Sequence, residues 1–144
     1  MSSLDAIKVS VEGLPGQPAN TRNALPVLHE IRHALAQLDQ SGEPTVIDLS
    51  AIPFAPGDRD QLLEFLGKGE VSASIDAMGE SLVYETAFPG VWLIQHKSPQ
   101  GDPLSTHIEI TRVPSMLATP EEDVREAHAA LSARLAEDAE NNPD

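Results

Sequence analysis

His29-Glu30-Ile31-Arg32-His33 reads H-E-x-x-H inside a stretch of helical periodicity. Two histidines one helical turn apart can share a zinc ion, and the glutamate between them can deprotonate a zinc-bound water; that is the chemistry of a small zinc hydrolase. On a helical wheel at about 100° per residue, Leu28, Ile31, Leu35 and Leu38 cluster, while His29 and His33 lie roughly 100–150° from the centre of that cluster. The pair therefore points to the flank or to solvent. A catalytic zinc also needs a third protein ligand. No His or Glu follows at the near spacing of the longer zinc-protease motifs, so His96, His107, Glu70 or Glu85 would have to be brought in by the fold. A solvated helix face is the expected role of His29 and His33, and neither a metal nor another cofactor is expected.

Other chemistries find less support. There is no G-x-S-x-G nucleophile elbow, no G-x-G-x-x-G and no Walker sequence. Gly67-Lys68-Gly69 lacks a following helix signal and reads as a helix-to-strand turn. Asp58 with Asp60, or Glu70 with Glu85, could pair for acid–base work, but surface solvation is the commoner role of such residues. The chain has no cysteine, which removes disulfides, thiol catalysis and thiolate-held zinc or iron–sulfur clusters. No enzymatic activity is expected.

The elements that would carry these residues can be read along the chain. Ile7, Val9 and Val11 alternate as a strand over 6–12, followed by a Pro/Gly loop. Asn23 stands as a helix N-cap, and the helix runs to about Gln40. Thr45–Leu49 is a short strand and Asp58–Leu66 a short helix closed by Gly67. Strands follow over Val71–Ala77, Leu82–Thr86, Val91–Lys97 and Leu104–Val113, read as an antiparallel meander. Thr119-Pro120-Glu121-Glu122 opens a last helix with an apolar stripe of Val124, Ala127, His128, Leu131 and Leu135. The predicted fold is α+β in β-α-β-α-β-β-β-α order: a mixed, largely antiparallel sheet with helices covering at least one face. The first β-α-β should pair its strands in parallel. One domain is expected over 1–138, with a disordered tail at 139–144.

The hairpin at Ser98–Asp102 fixes which side chains share a face. A loop symmetric about Gln100 places Trp92, Ile94 and His96 with Leu104, Thr106 and Ile108, and Val91, Leu93 and Gln95 with Ser105, His107 and Glu109. One face is covered by helices, and the other is a candidate partner surface. Trp92 would otherwise be the largest core residue and His96 a hydrogen-bonded sheet histidine.

Charge narrows the partners. Nine basic residues against 23 acidic ones give a net −14 over 144 residues. That opposes nucleic acid and anionic membranes and favours a basic partner, mainly through its association rate. No segment approaches the ~20 apolar residues of a membrane helix, and no signal peptide is evident at the N-terminus, so the cytoplasm is the expected location.

Three blocks carry a family resemblance: Gly67-Lys68-Gly69-Glu70-Val71-Ser72-Ala73, Glu85-Thr86-Ala87-Phe88-Pro89-Gly90-Val91-Trp92 and Ile108-Glu109-Ile110-Thr111-Arg112-Val113-Pro114. Together, over roughly 25–117, the sequence resembles the HupH-type (HyaF-like, HoxQ-like) hydrogenase expression/formation proteins, in a single-domain version. The resemblance implies a non-enzymatic accessory protein of nickel–iron hydrogenase maturation. Its partner would be the immature iron–sulfur small subunit, before export, or another assembly factor. By this likeness Glu70, Glu85, Phe88, Trp92 and His96 are the candidate partner-binding residues. The acidic surface would suit the twin-arginine segment of such a precursor. The alternatives are the zinc hydrolase and a generic acidic adaptor.

Overall fold

The computed structural model describes residues 23–142. The strand expected over 6–12, and with it the parallel β-α-β pairing, lies outside the described residues. The described chain forms α1 (Ala24–Ser41), β1 (Thr45–Asp48), α2 (Asp58–Leu66), β2 (Ser72–Asp76), β3 (Glu80–Glu85), β4 (Val91–Lys97), β5 (Pro103–Ile110) and α3 (Glu121–Asn141). The five strands make one sheet in the order β1-β5-β4-β3-β2, and every pairing in it is antiparallel. The α+β class is as expected.

Asn23 stands at the N-cap of α1, but its side chain makes no capping bond. Its amide instead donates to the Pro53 carbonyl at 2.6 Å, tying the helix start to the loop after β1. Gly42 ends the helix in the left-handed region, with its N–H on the Leu38 carbonyl. The buried stripe of α1 is Ala24, Val27, Ile31 and Ala34, while Leu28, Leu35 and Leu38 are half-buried. The small alanines let the helix approach the sheet, and the leucines flank the contact.

The core cluster between the helices and the sheet is one layer, and Val83, Trp92 and Ile94 are buried on the sheet's other face. Ala24, Val27, Ile31 and Ala34 of α1 join Leu62 and Leu66 of α2 and Leu49 against Ile47, Val91, Leu93, Ile108 and Ile110 of the sheet. Apolar burial of this kind is the main stabilising term.

The hairpin register departs from the symmetric expectation. Trp92 pairs with Glu109, Ile94 with His107 and His96 with Ser105, and an irregularity falls between His96 and Lys97. That extra residue shifts the pairing by one, and a one-residue slip moves a whole strand's side chains to the other face. Val91, Leu93 and Gln95 therefore share the helix-facing side with Thr106, Ile108 and Ile110. Trp92, Ile94 and His96 share the opposite side with Ser105, His107 and Glu109.

The chain divides into two compact units, one up to Arg112 and one from Val113. The second carries a 3₁₀ turn at Ser115–Leu117 and then α3. Pro120, with ψ 148°, is extended and serves as the N-cap, so α3 begins at Glu121 rather than at the proline. Glu121, Glu122 and Asp123 fill its first turn, where the helix dipole favours anions. The helix continues to Asn141, into the segment expected as a tail, and none of its residues is buried.

Leu93→Ala removes a side chain with no exposure from the centre of this layer. Chemical denaturation should show a loss of about 2–5 kcal/mol with an unchanged denaturant slope; no loss would contradict the core assignment.

Candidate docking site

The three sequence blocks converge on one turn. Gly67 closes α2, and Gly69 then runs beside the end of β3: its N–H donates to the Glu85 carbonyl at 2.7 Å, and the Glu85 N–H returns to the Val71 carbonyl at 2.9 Å. A Cβ on Gly69 would stand 2.6 Å from the Thr86 carbonyl oxygen, so this close approach requires glycine. The Ala87 N–H donates to the Leu66 carbonyl at 2.8 Å, fastening the turn to the end of α2.

The turn itself is closed from both sides. The Thr86 N–H reaches the Val91 carbonyl at 2.8 Å, and the Val91 N–H reaches the Phe88 carbonyl at 3.0 Å. The Thr86 hydroxyl also bonds the Phe88 main chain. Gly90 adopts φ +92°, and its N–H donates to the Glu85 carboxylate at 3.0 Å. The third block joins through the Thr111 N–H on the Gly90 carbonyl at 2.9 Å and the Trp92 indole N–H on the Thr111 carbonyl at 3.0 Å.

This frame presents Phe88. Its ring stacks on Phe65 of α2, with centroids 6.0 Å apart and planes within 6°. Yet Phe65 remains 62% exposed, Phe88 41% and Leu25 of α1 57%. Between them lies an open apolar groove of about 350 Å³, floored by Leu28, Ile31, Leu35 and Leu66 and edged by His29 and Arg32. Contiguous exposed apolar surface of this kind makes the groove a candidate binding face. The Arg32 guanidinium reaches the His29 ring at 3.3 Å. Just past α2, the Lys68 ammonium stands 5.1 Å above the half-buried Tyr84 ring, and burial pushes the Tyr84 hydroxyl above its ordinary 10.0.

The sequence-selected residues separate on this frame. Phe88 lines the groove, Glu85 braces the turn beneath it, and Glu70 is exposed in the strap beside it. Trp92 is 5% exposed with its indole N–H satisfied, so its ring is not an open contact. His96 is half-buried and shares a 2.8 Å hydrogen bond with Ser81; it lies against His107, which bonds Glu109 at 3.0 Å. His29 and His33 are both exposed on α1. Among the described residues, no three His, Cys, Asp or Glu side chains are placed to hold a metal ion. Asp58 is buried at the start of α2, its carboxylate accepting from the Ala55 N–H, while Asp60 is exposed. Phe65 was not among the sequence candidates. Its signal was an excess: α2 has more apolar residues than the buried pair Leu62 and Leu66 can use.

The described residues form a small α+β fold with an open apolar groove beside the turn. Residues 21–137 match the family described as HupH hydrogenase expression protein, C-terminal conserved region, and the chain belongs to it. It is 32% identical over 119 residues to the hydrogenase expression/formation protein HoxQ of Azotobacter vinelandii, covering 79% of this chain and 41% of that protein. The HoxQ of Cupriavidus necator is 28% identical over 115 residues, covering 80% and 41%. The chain thus spans under half the length of these relatives. The solved structure of hydrogenase expression protein HupH from Thiobacillus denitrificans superposes with a TM-score of 0.78 at 46% identity, covering 81% of this chain and 98% of that one.

Two outcomes follow from this geometry. Trp92→Ala should lower unfolding free energy by about 3–5 kcal/mol, whereas Phe88→Ala, already open to solvent, should cost far less; equal losses in denaturation curves would contradict the assignment. Elemental analysis of purified protein should find no stoichiometric zinc and no change on His33→Ala; zinc that His33→Ala removes would restore the hydrolase reading.

Proposed function

We propose that this chain is a non-enzymatic, cytoplasmic accessory protein of nickel–iron hydrogenase formation that holds the immature iron–sulfur small subunit precursor before export. The observation that carries the reading is the apolar groove with its stacked, solvent-open Phe65 and Phe88, in a member of a hydrogenase expression family. A rigid turn that keeps two aromatic rings open to water is suited to holding a partner, since buried aromatic anchors dominate binding energy. The absence of cysteine fits the same role: the chain could shield a partner's cluster but could not ligate one through thiolates. Holding and steering are divided. The groove anchors an apolar segment, while the net charge of −14 speeds encounter with a basic region such as a twin-arginine segment. No described helix is long and apolar enough to cross a membrane.

Tagged protein used as bait in hydrogenase-expressing cells should retain the unprocessed small subunit and not the processed one, as read by mass spectrometry. Phe65→Ala with Phe88→Ala should weaken binding by about 30-fold or more, the size of an aromatic hot spot, while the melting temperature is kept. Raising salt from low to physiological should slow association and leave dissociation nearly unchanged. Recovery of no hydrogenase component, where a known assembly pair is recovered, would overturn the proposal.

A further inference from the structure

The apolar groove continues along α1. Leu35, which lines it, also lines a second open cleft of about 400 Å³ nearer the end of the helix. There α1 supplies Leu35, Leu38 and Asp39, and the turn supplies Pro89 and Gly90 in place of Phe88. Leu25, Leu28, Arg32, Leu35 and Asp39 are three or four residues apart, so they step along one face of α1. Groove and cleft make one strip, about 21 Å long from Leu25 to Asp39 at roughly 1.5 Å per residue.

The two ends of the strip differ in charge. At the aromatic end the charged side chain is Arg32, bonded to His29. At the other end stand two carboxylates, Asp39 and Glu85, and one guanidinium, Arg112. The Glu85 carboxylate is held by the Gly90 N–H. Asp39 and Arg112 are exposed, and among the described residues the side chain of neither makes a hydrogen bond or ion pair. Asp39 also lies in the last turn of α1, which contains no basic residue. The negative end of the helix dipole therefore adds to its carboxylate instead of being offset. Two carboxylates and a helix C-terminus against one guanidinium favour a cation here.

We propose that this end of the strip selects a lysine or arginine in the partner. The segment held has an apolar anchor, seated against Phe65 and Phe88, and a basic residue that meets Asp39. The spacing follows from the helix. Leu28 to Arg32, beside the anchor, lie about 10–16 Å from Asp39 along α1, which an extended chain covers in about three to five residues. The ion pair adds selectivity and fixes the register more than it adds affinity, because Asp39 is open to water. It is made between side chains, so main-chain coverage of α1 stays with the anchor. This inference deepens the reading of the groove as the holding surface and rests on it.

Fluorescein-labelled synthetic peptides test it, by anisotropy titration with the whole protein. All share one Leu-Phe-Leu anchor in a Gly/Ser background. One set carries an arginine about four residues before or after the anchor, a second carries glutamine at the same places, and a third has the arginine directly beside the anchor. Wild type should bind a spaced-arginine peptide about three- to fivefold tighter than its counterparts, the range of an exposed ion pair. Asp39→Lys should erase that advantage and Arg112→Gln should enlarge it. Neither should move the melting temperature or the binding of the glutamine peptides, since both side chains are exposed. Phe65→Ala should weaken every peptide alike. Equal binding of arginine and glutamine peptides, or an advantage that survives Asp39→Lys, would overturn the proposal; the groove reading would still stand if Phe65→Ala weakens both. No binding, or binding that ignores Phe65→Ala, would overturn the two together.

Discussion

The hydrogen bond from the Ala87 N–H to the Leu66 carbonyl, 2.8 Å long, joins the last residue of α2 to the turn between β3 and β4. The orientation of the groove depends on it. Leu66 is held in the core by burial, so its carbonyl is a fixed acceptor. The turn that uses this acceptor is fixed in its turn by the Gly69–Glu85 main-chain bond below and the Glu85 carboxylate on Gly90 above. Phe88 can then stay partly open to water without the loop collapsing over it. A loop free to move would bury its phenylalanine against the nearest apolar surface; here the backbone is committed elsewhere.

Much of this was legible in the residues. The helix at Asp58–Leu66 and its glycine stop, the strand at Val91–Lys97 and the all-helical end of the chain follow from periodicity and punctuation. The family blocks also come together in the fold, because each contributes a main-chain group to the same turn. The face assignment of β5 was not legible. Loop symmetry about Gln100 is the simplest register, and nothing in Ser98–Asp102 announces the irregularity at His96/Lys97 that shifts it by one. The same limit applies to Asn23, whose type signals a cap but whose amide finds a distant acceptor at Pro53 that only the tertiary fold supplies. Phe65 was visible as an apolar residue, yet its exposure depends on Leu62 and Leu66 having already taken the core-facing side of α2.

In the proposed role, charge and apolar surface have separate tasks. An excess of 14 negative charges acts over a Debye length and would govern how fast a basic partner arrives. It gives little holding power, because exposed ion pairs are weak in water. In the proposed role holding falls to the groove, where apolar area is removed from water and whose edge carries Arg32 and His29. Of the histidine pair that resembles a zinc motif, His29 stands at the groove edge beside Arg32, and His33 is exposed on α1.

Hydrogen exchange on the protein alone and with the small subunit precursor added would test the central claim most directly. The account predicts new protection confined to the first half of α1, the end of α2 and the turn at 87–90, with the β2 edge and the Trp92 face of the sheet unchanged. Protection that appears on the β2 edge or that sheet face, with the groove segments unaffected, would contradict it.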